Sequence, residues 1–244
     1  MQIKEKKTSI VIVTYNALDY IKKCLDSVFK FTNPLHEIII VDNCSDTSTR
    51  EYLKKITEKH SQINLILNKE NRLWSPGNND GIKAAASDSE YILLLNSDTE
   101  VLREDWILQL QKPFADHKVA VTGIQHNFLP IAPMYGAIDG CCFMVPKVLF
   151  SEFGLLDEDY PWNGAGFIFS AKLWAAGYKY YHVDKPRVLI HYGKRSRIAN
   201  NTQLMNQKID PKEVMKNQGL KPKTDYLSYF LHRLGMFRVN KQMK

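Results

Sequence analysis

The triplet Asn96-Ser97-Asp98 directly follows an apolar run, YILLL at residues 91–95. Such a run predicts a buried strand, so the triplet would begin where that strand ends. A carboxylate beside an amide can bind a hard divalent cation such as Mg²⁺ or Mn²⁺, which prefers oxygen ligands and leaves positions open for phosphate oxygens. Polar triplets also form ordinary turns, so the neighbouring residues must decide between the two interpretations.

Two more polar clusters follow apolar runs. Thr14-Tyr15-Asn16 ends the run that begins at Ser9, and DNCSD at residues 42–46 follows EIIIV at 37–41. Ligands of open α/β sheets bind beyond the carboxyl ends of the strands. We therefore expect the three clusters to converge at one edge of the sheet.

The elements that must position these clusters alternate along the chain. Strands are predicted at 9–15, 37–41, 64–67, 91–95, 119–121, 138–145, 178–183 and 187–191. Helices are predicted at 17–29, 48–59, 76–86 and 104–114, from 146, and up to 176, with an irregular, loop-like stretch at 126–136. The alternation predicts an α/β protein: one Rossmann-like domain with a mostly parallel, doubly wound sheet over residues 1–193.

Glycine-rich phosphate loops are missing from the sequence. No G-x-G-x-x-G follows the first strand, and no G-x-x-x-x-G-K-[ST] occurs anywhere. Nicotinamide-dependent enzymes and P-loop proteins therefore lose their main support. Something other than a glycine loop, such as a cation, must neutralise phosphate here.

The basic charge lies at the carboxyl end. The whole chain carries +7, and residues 194–244 hold the entire basic excess. This basic extension suits an anionic membrane surface, a nucleic acid or a phosphorylated glycan precursor, although a merely solvated end explains it equally well. Residues 224–239 have the pattern of an amphipathic helix, for a membrane, a partner or its own domain.

The four cysteines are scattered without C-x-x-C spacing, which favours a reducing compartment. The apolar run near the amino end is too short for a signal peptide, and no later run approaches a membrane span. We therefore expect a cytoplasmic protein, with peripheral membrane contact as one use of the extension.

Seven stretches resemble the family-two glycosyltransferases, especially their rhamnosyltransferase-like branch, which has the A-type glycosyltransferase fold. They are SIVIVTYN (9–16), EIIIVDNCSD (37–46), NRLWSPGNNDGI (71–82), YILLLNSDTEV (91–101), GLLDEDYPW (154–162), AAGYKYYHV (175–183) and VLIHYG (188–193). Each motif is modest, but seven in the family's order over residues 8–193 are specific.

The resemblance implies a nucleotide-sugar site. Thr14 and Tyr15 would line the base, with the Tyr15 ring stacked on it and Asn16 in the same nucleotide-sugar site, and Asp42 would accept a hydrogen bond from a uracil or thymine N–H. The remaining implied contacts, to ribose, phosphates and sugar, come from Asn71, Asn79, Asn96, Ser97 and Asp98. The alternatives are a core aromatic for Tyr15 and a turn or helix cap for Asp42.

The resemblance also implies a metal site and a sugar platform. Asp98 would bind Mn²⁺ or Mg²⁺, and His191 matches the family's late histidine, often a further ligand. Trp74 and Trp162 are candidates for stacking on the acceptor sugar, with core packing as the alternative for each. A lone histidine is usually structural, so the position of His191 in VLIHYG carries its assignment.

Two segments depart from the family pattern. Leu73 replaces a common glycine, and Ala165-Gly166 stand where a Glu-Asp pair normally supplies the general base. Neither Ala165 nor Gly166 can accept a proton. Other carboxylates can then serve, with Asp157, Asp159 and Asp139 as the candidates and Glu158 beside them; alternatively a weak base suffices, or the protein binds sugar nucleotide without turnover.

The sequence thus predicts a metal-dependent glycosyltransferase. It would move a sugar, with inversion, from a UDP or dTDP sugar to a hydroxyl of a glycan or lipid-linked acceptor. Two alternatives stay open: transfer to hydroxymethylated bases of phage-type DNA, and a non-catalytic sugar-nucleotide-binding module.

Overall fold

The structure is a computed structural model that describes residues 4–124, 140–162, 164–183 and 186–193, with Lys216 and Gly219. The predicted loop at 126–136, Asp139 and the predicted helix at 224–239 lie outside these residues. The division into a domain at 1–193 and an extension at 194–244 accordingly stays a prediction.

The strands follow the β-branched, apolar runs of the sequence. Their bounds are β1 Thr8–Thr14, β2 Glu37–Asp42, β3 Ile63–Leu67, β4 Tyr91–Asn96, β5 Thr99–Val101, β6 Val119–Gly123, β7 Cys142–Pro146, β8 Lys179–His182 and β9 Leu189–His191. Side chains of β1 are buried on both faces, because helices cover both sides of the sheet.

The helices are α1 Leu18–Phe31, α2 Thr47–Thr57, α3 Trp74–Lys83, α4 Trp106–Gln111, α5 Lys147–Phe153 and α6 Ala165–Ala175. The helix predicted at 76–86 begins two residues earlier, so Pro76 lies in the first turn, where its missing N–H costs no hydrogen bond. The helix predicted at 104–114 is shorter: α4 ends at Gln111 and a 3₁₀ turn, Lys112–Ala115, follows around Pro113.

Within the described residues, seven strands form one sheet in the order β3-β2-β1-β4-β7-β6-β8. The strands β1 to β4 are parallel, as predicted, but β7 runs antiparallel to both β4 and β6. A separate antiparallel pair joins β5 to β9. The sheet is therefore mostly parallel, with one reversed strand that the apolar pattern did not reveal.

Two clusters of buried side chains lie on opposite faces of this sheet. One packs α1, α2 and α4 against the sheet, and the other packs α3, α5 and α6 against it. This arrangement confirms the predicted α/β class. None of the helices in the described ranges is long and apolar enough to cross a bilayer.

Candidate functional site

The carboxyl ends of β1, β2 and β4 meet at one edge of the sheet. Thr14 is paired with Asp42, and Val13 is paired with Asn96. Adjacent strands lie about 4.8 Å apart, so the three polar clusters that follow these strands are neighbours. The predicted convergence is therefore present in the structure.

Asp98 and His191 are in direct contact. Asp98 Oδ1 lies 3.1 Å from His191 Nε2, and the two side chains are 13% and 8% exposed. The pairing of β5 with β9 sets Thr99 opposite His191, and the Tyr192 N–H donates to the Asp98 carbonyl at 2.9 Å. This short two-stranded ladder brings together the two residues predicted as metal ligands.

The Asp98–His191 pair fits a divalent cation. Its 3.1 Å separation is close to the roughly 3.0 Å between neighbouring ligands of an octahedral Mg²⁺ bound at about 2.1 Å. The carboxylate is a ligand that Mn²⁺ and Mg²⁺ prefer, whereas the imidazole adds a nitrogen ligand that is more typical of Zn²⁺, Fe²⁺ and Ni²⁺. The described residues contain no group of three or more metal-ligating side chains, so a substrate would have to complete the coordination.

The Asp42 carboxylate is enclosed in the loop after β2. It accepts hydrogen bonds from Thr14 Oγ1 at 3.2 Å, the Ser45 N–H at 3.2 Å and Arg50 Nε at 2.9 Å. The residue is 0% exposed. Asp42 thus braces this loop, and a nucleobase could reach its carboxylate only if the loop opened.

Tyr15 and Asn16 lie at the mouth of the same loop. Tyr15 is half-buried. Asn16 has a φ of 50°, donates its N–H to Ser45 Oγ at 2.8 Å, and accepts the Asp46 N–H through Oδ1 at 2.8 Å. Asn16 therefore connects the end of β1 to the start of α2. Asparagine is one of the residues that tolerate a positive φ.

Leu73 occupies a backbone conformation that favours glycine, with φ 66° and ψ −165°. Its N–H donates to Asn71 Oδ1 at 3.0 Å, and its carbonyl accepts from Asn43 Nδ2 at 2.8 Å. These bonds hold the strained residue in place. The positive φ of Leu73 is also the conformation for which the glycine implied by the family resemblance would be suited.

The Trp74 indole packs against two glycines. An added Cβ would approach the indole to 2.9 Å from Gly140 and to 3.5 Å from Gly166. Trp74 Nε1 donates to Asn96 Oδ1 at 3.1 Å, and the residue is half-buried. Trp74 therefore belongs to the site, and a longer side chain at 166 would compete with its ring for space.

The carboxylate-bearing turn at 156–161 is fastened to α3 by Ser75 and Asn79. Ser75 bonds to the Pro161 and Tyr160 carbonyls through its N–H and hydroxyl, at 2.9 and 2.6 Å. Asn79, which is 1% exposed, contacts both backbone groups of Leu156, at 2.9 and 3.0 Å. In this structure Asn79 holds the turn, a role that the sequence did not reveal.

The candidate proton acceptors in this turn differ in exposure. Asp157 is half-buried and its Oδ1 accepts the Asp159 N–H at 3.0 Å, whereas Asp159 itself is exposed. Glu158 bonds to Asn79 Nδ2 at 2.9 Å and lies 3.6 Å from Arg72. Trp162 is half-buried just before α6.

The buried thiol of Cys24 packs against the backbone of the Asn96-Ser97-Asp98 triplet. Cys24 Sγ lies 3.7 Å from the Asn96 carbonyl and 3.6 Å from Thr99 Oγ1. Burial raises the pKa of the Cys24 thiol to about 12, so it stays neutral. Ser97 is half-buried in the turn that Cys24 supports. No motif in the sequence pointed to this contact.

The profile of glycosyl transferase family 2 matches residues 9–152, more than half of the chain. The chain belongs to glycosyl transferase family 2.

Two relatives within this family illustrate the extent of the similarity. A poly(ribitol-phosphate) β-glucosyltransferase of Bacillus spizizenii is 38% identical over 96 residues, which are 38% of this chain and 15% of that protein. The poly(ribitol-phosphate) β-N-acetylglucosaminyltransferase TarS of Staphylococcus aureus is 29% identical over 101 residues, 40% of this chain and 17% of TarS. The chain therefore matches less than a fifth of each of these relatives.

Solved structures show the same fold. TarS residues 1–349 in complex with UDP give a TM-score of 0.61 at 16% identity, covering 95% of this chain and 72% of that one. A mannosyltransferase from Pyrobaculum calidifontis, in complex with GDP-Man and Mn²⁺, gives 0.64 at 17% identity, covering 73% and 55%. This family-two chain thus has the predicted A-type glycosyltransferase fold.

The family-two match covers only part of the candidate site. It contains the ends of β1, β2 and β4 and reaches Asp98 and Trp74, but it stops at residue 152. His191 and the turn at 156–161 lie beyond it. The family match therefore covers the strand-end clusters, whereas the roles of the turn and of His191 rest on the motif resemblance, and the structure shows their contacts with Asn79 and Asp98.

Proposed function

We propose that this protein transfers a sugar from a UDP or dTDP sugar to a hydroxyl of a glycan or lipid-linked acceptor, with inversion and with Mn²⁺ or Mg²⁺. The observation that carries the proposal is the 3.1 Å contact between Asp98 and His191 beside the strand ends of a family-two fold. The proposal assigns the chemistry to residues 1–193 and an accessory role to 194–244, in a cytoplasmic protein.

Asp98 and His191 would hold the cation at the edge of the sheet. When bound, the cation would neutralise the charge that develops on the leaving diphosphate. Asn96 and Ser97 lie in the same turn and would contact the diphosphate or the sugar. Tyr15 would stack on the base, whose pyrimidine identity we propose from the sequence, while solved relatives contain UDP or GDP-Man.

The donor loop would adjust to the nucleotide. Thr14, Asn16 and Asp42 are joined by hydrogen bonds around Ser45 and Asp46. A base N–H that donates to Asp42 would join the three donors that the carboxylate already has, Thr14, Ser45 and Arg50, or replace one of them. Asn71 would approach the ribose from the neighbouring segment.

The acceptor would bind between Trp74 and Trp162. A carboxylate removes the proton of the acceptor hydroxyl while its oxygen bonds to the anomeric carbon and the bond from that carbon to the diphosphate breaks. Asp157, Asp159 and Asp139 are the proposed acceptors of this proton. The names of two relatives specify poly(ribitol-phosphate), which supports a polyhydroxylated acceptor.

A second candidate function is sugar-nucleotide binding without turnover. The observation that favours it is the start of α6, where Ala165 and Gly166 are buried and carry no proton acceptor. The Trp74 indole lies against Gly166, so an aromatic ring borders the position where the family resemblance implies a carboxylate.

Thermal-shift titration with nucleotide sugars, with and without Mn²⁺, tests the donor site, since a ligand of the native state raises its stability. We expect a Mn²⁺-dependent shift with a UDP or dTDP sugar, and transfer to a glycan acceptor with that donor. Binding with neither hydrolysis nor transfer would favour the second function. No metal-dependent shift with any sugar nucleotide would contradict both.

A further inference from the structure

Asn96 is fixed at its backbone on two sides. Its N–H donates to the Cys141 carbonyl at 3.0 Å, and its own carbonyl accepts from Thr99 Oγ1 at 2.8 Å. Its side chain meets Trp74, whose Nε1 donates to Oδ1 at 3.1 Å. Asn96 is thus a rigid part of the site rather than a freely turning surface residue.

The chemistry of the indole decides which amide atom faces it. An indole N–H is only a donor, whereas the asparagine side chain offers an acceptor oxygen and a donor NH₂. The reverse orientation would place two donors 3.1 Å apart, so Oδ1 must face Trp74. The Nδ2 group of Asn96 then points away from the indole, and it makes no hydrogen bond to any described residue.

Trp74 is itself held firmly enough to impose this orientation. Its six-membered ring packs against Gly140 and Gly166. Its carbonyl accepts from Asn78 Nδ2 at 2.7 Å, and the preceding carbonyl of Leu73 accepts from Asn43 Nδ2 at 2.8 Å. An indole fixed at both the ring and the backbone preorganises its partner.

From these contacts we infer that Trp74 locks the Asn96 amide so that Nδ2 donates a hydrogen bond to an oxygen of the donor's diphosphate. The inference assigns Asn96 to the diphosphate rather than to the cation, because Oδ1 already accepts from the indole and an amide NH₂ donates hydrogen bonds but does not ligate a metal. The inference rests on the proposed function and makes Trp74 a positioning residue that acts through Asn96. Binding of the diphosphate would then combine a neutral donor at Asn96 with the cation at Asp98 and His191.

The first test removes the indole N–H and keeps an aromatic ring against Gly140 and Gly166. Trp74→Phe should weaken UDP binding in saturating Mn²⁺ by about threefold to tenfold, the size of one net hydrogen bond. Trp106→Phe is the matched control: Trp106 is buried and its Nε1 donates to Thr32 Oγ1 at 3.2 Å, away from the site. Isothermal titration should show no change for that control.

The second test separates donation to phosphate from metal ligation. Asn96→Ala should weaken UDP binding by a similar factor while leaving Mn²⁺ affinity of the UDP-saturated protein unchanged, measured by the paramagnetic resonance of free Mn²⁺. The double variant Trp74→Phe/Asn96→Ala should bind UDP no more weakly than Asn96→Ala alone, because both changes remove one interaction.

Any one of three outcomes would overturn the inference and leave the proposed function standing. They are unchanged UDP binding by Trp74→Phe, weakened Mn²⁺ binding by Asn96→Ala, and additive effects in the double variant. Each presupposes that the wild-type protein binds UDP with Mn²⁺. If the wild-type protein does not bind it, the proposed donor fails, and this inference fails with it.

Discussion

The proposed donor side of the site, meaning the strand-end clusters with Asp98 and His191, is built from the seven-stranded sheet and the separate β5–β9 pair. The proposed acceptor side, meaning the turn at 156–161 and Ala165-Gly166, includes a turn that α3 holds, and Trp74 of α3 also contacts Asn96 on the donor side. Hydrogen bonds between β1, β2 and β4 fix the first. Side-chain bonds from Ser75 and Asn79 fix the second.

This difference separates two tasks of a transferase. A sheet edge is rigid and suits the binding of a nucleotide and a cation, which are shared by many donors. A turn fastened by a few side chains can vary in sequence without disturbing the sheet. The loss of a carboxylate at 165 and 166 is therefore compatible with an intact donor side.

The largest effect is expected from Asp98→Ala. We expect kcat/KM to fall by more than about 10³-fold, because several kcal/mol of charge stabilisation by the cation would be lost, and Mn²⁺-dependent UDP binding should be lost with it. Glu100→Gln is the control, since Glu100 lies in the same short ladder and bonds to Tyr192 instead. Equal losses in both variants would show that the ladder, not the cation, is being damaged.

A smaller effect should identify the proton acceptor. Asp157→Asn, Asp159→Asn and Asp139→Asn are expected to differ, with kcat falling about 10²-fold for one of them and UDP affinity unchanged in all. Asp88→Asn, an exposed change, serves as the control. If none of the three lowers kcat, the acceptor side contains no carboxylate base among these residues.

Asn79→Ala should affect the acceptor side alone. It leaves both backbone groups of Leu156 without their partner, so we expect about 1–3 kcal/mol lower free energy of unfolding. Turnover with acceptor should fall, while UDP affinity should change by less than about twofold, which is less than the loss of one net hydrogen bond. Asn64→Ala, at an exposed position of β3, is the control and should change neither turnover nor UDP affinity. If Asn79→Ala lowered UDP affinity as much as turnover, the donor and acceptor sides would not be separable.

The smallest effect concerns the backbone between the two sides. Leu73→Gly should raise the free energy of unfolding by about 1 kcal/mol, because a non-glycine residue at φ 66° stores strain that glycine relieves. Leu67→Gly, in the regular strand β3, should lower it by about 0.5–1 kcal/mol. Urea denaturation measures both, and a destabilised Leu73→Gly would mean that the leucine side chain contributes more than the strain costs.

Much of the fold could be predicted from particular residues. The runs SIVIV and EIIIV and the apolar YILLL place β1, β2 and β4 because buried parallel strands are continuously apolar. The reversal of β7 could not be predicted, since a buried strand has the same apolar pattern in either direction. The short α4 was also missed, although Pro113 is a signal that a helix would not continue.

The sequence by itself determined where polar residues follow strands, and so where Thr14, Asp42 and Asn96 would meet. It also supplied Asp98 and His191 as ligands, through a family resemblance. Only the tertiary structure decided that Asp42 is enclosed by Arg50, that Asn79 holds a distant turn, and that Trp74 turns the amide of Asn96. Those contacts join segments far apart in the chain, and a periodic pattern records which face a side chain occupies but not which partner it meets there.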